Sequence, residues 1–348
     1  MPTANARFRG RVRHSSVGHD ALGACRDPRV LAEASISNGR HPSGDNAVLT
    51  VPAGNHPVLQ RLGNNSQQLA IGDAKSSDEA GRGDASPPTL SDSSETMTTQ
   101  TSLPLFYEQP RPLAPGAHAN LSLAGNTGFG YAAKTNAVPL VATELPTACR
   151  HFPIVFTDGD QPTPVAVLGV RGQENLFVDA QGQWRAGAYI PAYVRRYPFI
   201  FMENEDRSQF TLCVDEKAAS VVEGRDNPFF DEAGEPTDLA RSALEFCRDY
   251  QNQHAYTMEF ARALAEADLL VENRADITLP DGQRLAMSGF KVIDEAKFNK
   301  LPDEEFLRWR ANGWLPLVYC HLLSINTWPA LINQLQPAAQ AEEAAAEA

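Results

Sequence analysis

The chain has 348 residues, with 43 acidic side chains against 30 basic ones and a net charge of −13. That balance argues against sequence-independent binding to nucleic acid or to an anionic lipid surface. An uninterrupted apolar run of about 18 residues, the signal of a membrane-spanning helix, is absent, so no membrane span is expected.

The charge is unevenly placed. Residues 1–96 hold ten basic and ten acidic residues and one aromatic residue, Phe8, of the 28 in the chain. They are rich in Gly, Ser, Asn, Asp and Pro, as in residues 76–84. Such a segment has too little apolar side chain to offset its ordering entropy, and it reads as a disordered N-terminal extension. Arg7, Arg9, Arg11 and Arg13 precede the first acid, Asp20, as in an organellar transit peptide. A start codon misplaced ahead of Met97 accounts for the same composition. On either reading the function rests on residues 97–348.

Residues 97–146 are Pro-spaced and are expected to lie extended over the folded part, which runs from 147 to 336. Within it, residues 151–156 and 164–170 are short β-branched and aromatic runs, divided by the turn residues Asp158, Gly159 and Asp160. Residues 175–179 and 182–184 continue the series as two more expected strands. Pro191 and Pro198 frame a short helix over 191–197. Strands over 199–202 and 209–214 follow, joined by a loop at 204–208. From Leu239 to Leu269 apolar residues recur every three or four positions, which predicts one long, kinked helix. Asp281-Gly282 lies between two strand-like runs, 277–279 and 286–293, and marks a hairpin. A second helix is predicted from 302 to 312, with Asp303, Glu304 and Glu305 in its first turn, Arg308 and Arg310 near its last and Gly313 beyond it. Residues 315–335 are apolar and read as helical in part. The Ala/Glu tail, 337–348, is expected to be mobile. The fold class is therefore α+β, with largely antiparallel sheet, one long helix, a shorter one and a C-terminal helical segment.

Few residues suggest chemistry. Cys149, Cys213, Cys247 and Cys320 never form a Cys-x-x-Cys pair, and with Cys25 they are expected to be reduced and free. His151 and His321 lie beside Cys149 and Cys320, but the spacing of a metal site is not met, and no metal or cofactor is expected. His254 lies on the long helical stripe and reads as a core residue. Glu203, Glu205 and Asp206 cluster at one expected loop and Asp294-Glu295 at another; either set reads equally as a solvated loop. The densest polar and aromatic run is Tyr189, Tyr193, Arg195, Arg196 and Tyr197, followed by Phe199. Arginine beside tyrosine holds planar or anionic ligands, and more commonly covers packed rings with its stem. This run is the best candidate binding site. No catalytic residue can be named. Residues 187–196 and 313–322 share a sparse pattern of Gly, Pro and Tyr, as two related halves would.

Several blocks occur in a recognisable order: residues 151–156; Leu168-Gly169; residues 174–179 with Trp184; Tyr189-Ile-Pro through Arg196-Tyr-Pro-Phe199; residues 230–234; 289–295; and 313–324. In this order, from about 131 to 335, the chain resembles the SapC family of bacterial proteins. The resemblance implies a protein that begins near Met97. It also implies an association with surface-layer genes or with TonB-dependent outer-membrane receptors, and brings no established reaction. A cytoplasmic accessory protein that binds a protein partner is therefore the leading expectation. An enzyme acting on a peptide or small anionic substrate through Arg195 and Arg196 is the alternative.

Overall fold

The computed structural model describes residues 48–52, 70–73, 103–125, 127–204, 209–278 and 284–335. Twelve strands are present among them: β1 (Thr50–Pro52), β2 (Ala70–Asp73), β3 (Pro110–Pro112), β4 (Leu121–Leu123), β5 (Ala137–Pro139), β6 (Ile154–Thr157), β7 (Pro164–Val167), β8 (Phe199–Glu203), β9 (Gln209–Asp215), β10 (Val221–Glu223), β11 (Leu270–Thr278) and β12 (Arg284–Ile293). Eight α-helices accompany them: α1 (Pro115–His118), α2 (Leu145–Ala148), α3 (Ala192–Arg196), α4 (Asp238–Glu266), α5 (Glu295–Phe298), α6 (Asp303–Ala311), α7 (Leu315–Ser324) and α8 (Trp328–Asn333). Every strand pair is antiparallel. The fold is α+β, as the sequence predicts.

The larger sheet has the order β11-β12-β6-β7-β5, with β2 also paired to β12. A smaller sheet has β9 at its centre, bonded to β8 on one side and to β1 and β3 on the other. A two-stranded ribbon, β10-β4, completes the set. Strands β6 and β7 are buried at every position, which explains their continuous apolar sequence. Helix α4 runs past both sheets. Its first half gives Ala240, Ala243 and Cys247 to the core of the β9 sheet, with Phe201, Phe210, Leu212 and Phe229. Its last turns give Phe260, Ala263 and Leu264 to the core of the larger sheet, with Phe152, Phe156, Trp309 and Trp314. At about 1.5 Å per residue, its 29 residues are long enough to reach both.

Three sequence expectations need correction. Residues 103–146 are not draped over the domain: they form β3, β4 and β5, and Leu113, Val138, Leu140 and Leu145 are buried. The expected strands at 175–179 and 182–184 are turns with one isolated bridge, Val178 to Trp184. Polar side chains divert the backbone there. Asn175 Oδ1 accepts from Phe177 N, and Asp179 Oδ1 accepts from Gln181 N and Gln183 N. The preceding turn brings Glu174 so close that a Cβ on Gly169 would lie 2.1 Å from its carbonyl oxygen, which explains the Leu168-Gly169 block. Two pieces of the leader, β1 and β2, are strands. Val48-Leu-Thr-Val51 is a β-forming island whose local pattern was diluted by its surroundings, and it buries Leu49 and Val51 against β9. The helical run 315–333 needs no such correction, although it is long and apolar enough to cross a membrane by length and composition alone. A 3-10 turn at Ile325–Thr327 interrupts it, and Leu315, Leu317, Val318 and Leu331 are buried in the larger core. The loop carboxylates Glu205 and Asp206, Cys25, most of the leader and the tail lie outside the described residues.

Two buried groups make the fold sensitive to pH and to truncation. His321 Nε2 accepts from Ile293 N at 3.1 Å in the larger core, and burial pushes its pKa down to about 4. The unfolded chain takes up this proton near the ordinary histidine value, before the folded chain does. Stability is therefore complete above that value and is lost as pH falls from about 6.5 towards 4, by about 1.4 kcal/mol per unit. Urea midpoints across this range should fall for the native chain and fall less for His321→Gln. Burying Leu49 and Val51 contributes about 1.5–3 kcal/mol each as an upper figure. A chain starting at Met97 should therefore melt several degrees lower; an unchanged Tm would show that β1 adds nothing to the domain.

Candidate functional site

The run singled out in the sequence forms α3 and the strand that leaves it, with a cis peptide bond at Tyr197–Pro198 leading into β8. Successive helical residues point about 100° apart, so Arg195 and Arg196 separate. Arg196 is turned inward and is 5% exposed. Its guanidinium lies 4.5 Å from the centre of the Tyr250 ring, 4.6 Å from Tyr193 and 5.8 Å from Tyr107. Tyr250 comes from the middle of α4 and Tyr107 from the segment before β3. No carboxylate pairs with this cation among the described residues, and its Nε has no hydrogen-bond partner. The π faces of three tyrosines hold a charge that carboxylates usually hold.

Three hydroxyls of this cluster are engaged with the backbone. Tyr107 donates to Phe199 O at 2.6 Å, Tyr131 to Val194 O at 2.8 Å and Tyr193 to Leu105 O at 3.3 Å. Tyr197 donates to Asp215 Oδ2 at 3.4 Å, and its ring lies tilted 4.3 Å from that of Tyr131. Asp215 is fully buried and accepts from Glu108 N, Gln109 N and Lys217 N. These bonds tie residues 103–109 to α3 and β9. Burial pushes Cys247, one turn before Tyr250, up to about 12, with the Arg196 charge opposing. Half-buried His254 stacks on Tyr250, and burial, helped by the same charge, lowers it to about 4.

Arg195 is turned outward. Its Nε donates to Ile190 O at 3.0 Å and its Nη2 to Tyr189 OH at 3.4 Å, while its charge sits over Tyr189 and Phe246 at 5.9 and 5.4 Å. Beneath it, Tyr189 donates to Glu144 Oε1 at 2.8 Å. Glu144 is buried and also accepts from Ala192 N at 2.6 Å and from Val141 N at 2.9 Å. Burial holds this carboxyl above the usual range, with its three hydrogen bonds and Arg195 opposing. Glu144 thus anchors the start of α3, and its contacts make an acceptor of it. Burial, with the Glu144 charge and hydrogen bond, pushes Tyr189 up to about 12.

Other candidates disperse. Asp294 caps α5 by accepting from Ala296 N and Lys297 N. His321 lies within the core, away from solvent. Among the described residues no three His, Cys, Asp or Glu side chains gather as a metal would require. Cys149 and Cys320, 171 positions apart in the chain, become thiol neighbours; burial, together with Cys149, pushes Cys320 up to about 11. A shallow polar groove of about 420 Å³ lies at the edge of the larger sheet between Asp158, Glu272, Arg274 and Phe290. The residues that sequence reasoning missed are Tyr107, Tyr131, Glu144, Asp215 and Tyr250. Each is far from α3 in sequence, and none carries a local motif.

The arrangement is that of an α+β protein whose Tyr/Arg block joins its two cores and shows one arginine to solvent. Residues 113–331 match the SapC family profile, and the chain belongs to that family. Neither a search of curated proteins nor one of solved structures returns a match.

The split between the two arginines predicts different variants. Arg196→Ala leaves a cavity among three rings and removes their cation. It should cost roughly 2–4 kcal/mol, read as a lower denaturant midpoint at unchanged slope. Arg195→Ala should stay within about 0.5 kcal/mol of the native chain, as exposed positions do.

Proposed function

We propose that this protein is an accessory protein that binds a protein partner through the surface built by Tyr189, Ile190, Arg195 and Phe246. The observation that carries this reading is the state of Arg195. It is exposed, yet two hydrogen bonds and two ring faces fix its stem and orientation. A guanidinium held this way loses little entropy on binding and offers its remaining donors to a carboxylate or carbonyl. Arginine and tyrosine together are also the side chains that most often dominate binding energy at protein interfaces. Arg196, Tyr193 and Tyr197 support this surface from beneath.

The family resemblance favours, as partner class, a protein of surface-layer or outer-membrane-related export or uptake, met in the cytoplasm. An enzyme acting on a peptide or small anionic substrate is favoured by one observation, the raised pKa of Glu144 beside Tyr189 and Arg195. The three donors that converge on Glu144 engage both of its oxygens, so an anchoring role fits it better than proton transfer.

Affinity capture from native lysate, with the captured proteins identified by mass spectrometry, tests this reading. The native chain should retain a surface-layer or receptor-system protein. Arg195→Ala should lose it with an unchanged melting temperature. Equal capture by Arg195→Ala and the native chain would remove this surface from consideration.

A further inference from the structure

Helix α6 rests on the larger core by one side only. Trp309 is fully buried there, and Glu305 beside it accepts from Trp309 Nε1 at 2.8 Å and from Arg308. An adjoining side carries Asp303, Phe306, Leu307 and Arg310, spaced i, i+3, i+4 and i+7, and all four are exposed. Phe306 is 36% and Leu307 50% exposed. Buried Phe298 links the two helices from beneath: its ring lies 6.3 Å from that of Phe306 and 5.7 Å from that of Tyr319. Tyr319 is 49% and Leu323, one turn on along α7, 62% exposed. Most of the large, exposed apolar side chains among the described residues lie on these two helices.

The charges that bound the stripe select an occupant. Asp303 and Arg310 stand at equal distances on either side of the Phe306-Leu307 centre. Neither forms an ion pair with another described residue, in contrast to Glu305 and Arg308. A stripe that is acidic at one end, apolar in the middle and basic at the other is complementary to itself when reversed. We infer that α6 and α7 form an isologous interface between two copies of this chain, with the two α6 helices antiparallel across a two-fold axis. Phe306 and Leu307 then meet their own counterparts, and Asp303 of each copy faces Arg310 of the other at both ends. A stable interface buries about 800 Å² per copy, more than a two-turn stripe supplies, so Tyr319 and Leu323 extend it. The mixed charge of the stripe suits a second copy better than an anionic membrane, which calls for a basic rim.

Charge reversal tests this in the full chain, with sedimentation velocity read from low to high micromolar concentration. The native chain should dimerise. Asp303→Arg and Arg310→Asp should each weaken the dimer on the order of tenfold, because two attractive contacts become repulsive. Two further outcomes identify the antiparallel pairing. The double variant Asp303→Arg/Arg310→Asp should recover the dimer, and an equimolar mixture of the two single variants should form a heterodimer. Melting temperatures show whether each variant is folded. Should Asp303→Arg fail to fold, Leu307→Ser with Tyr319→Ser should yield a folded monomer. A native chain that stays monomeric at every concentration overturns the proposal. So does a dimer indifferent to both reversals, or one that neither the double variant nor the mixture restores.

Discussion

A single buried cation organises the middle of this protein. Arg196 leaves α3 and enters a space bounded by Tyr107, Tyr193 and Tyr250, rings supplied by three separate segments. A guanidinium stripped of water is costly unless its charge is matched. Here the match is made by ring faces, so all three rings must be in place together. That requirement fixes the lead-in segment, α3 and α4 relative to one another. It also explains why the Tyr107 and Tyr193 hydroxyls bond main-chain carbonyls: each such bond orients a ring whose face is needed elsewhere.

Helix α4 turns this local constraint into a global one. Cys247 belongs to the core of the β9 sheet, Tyr250 to the arginine cluster and Phe260 to the core of the larger sheet. Between the last two, Thr257 accepts from Ala142 N at 2.7 Å, and Thr143 donates to Gln253 Oε1 at 2.6 Å. The turn that presents Glu144 is thereby held on α4, and Glu144 in turn holds the start of α3. The exposed Arg195 surface is the outer end of this chain of contacts, so its geometry depends on both cores being formed.

Elements with a long or charged signature were legible in the sequence. The three-and-four spacing gave α4 to within a few residues, and charge asymmetry with a following glycine gave α6. Short elements were not. Strands β3 and β5 have three residues each and contain proline, and β1 is a small island in a polar leader, so neither period nor composition betrays them. At 175–184 the β-like pattern was outweighed by Asn175 and Asp179, whose side chains bond nearby amides. The candidate site was half legible. Composition pointed to the block, yet which arginine turns inward depends on Tyr250 and Tyr107, 54 residues after and 89 before Arg196. Their role appears only when α4 is docked.

The two outward features of the molecule differ in kind, and the difference bears on function. The Arg195 surface is polar and prearranged, with its guanidinium already held by Tyr189 and Ile190. Such a surface suits discrimination among partners, since a misplaced acceptor leaves donors unpaired. The α6–α7 face is apolar and symmetric in its charges, which suits repeated association with an identical surface. Phe246 and Arg195 lie towards the first half of α4 and its core, whereas Phe306 and Leu307 lie on a helix packed by Trp309 against Phe260, near its end. One molecule can therefore use both at once. A dimer formed through α6 and α7 would present two copies of the Arg195 surface. A partner with repeated acceptors would then be held by avidity rather than by one strong contact.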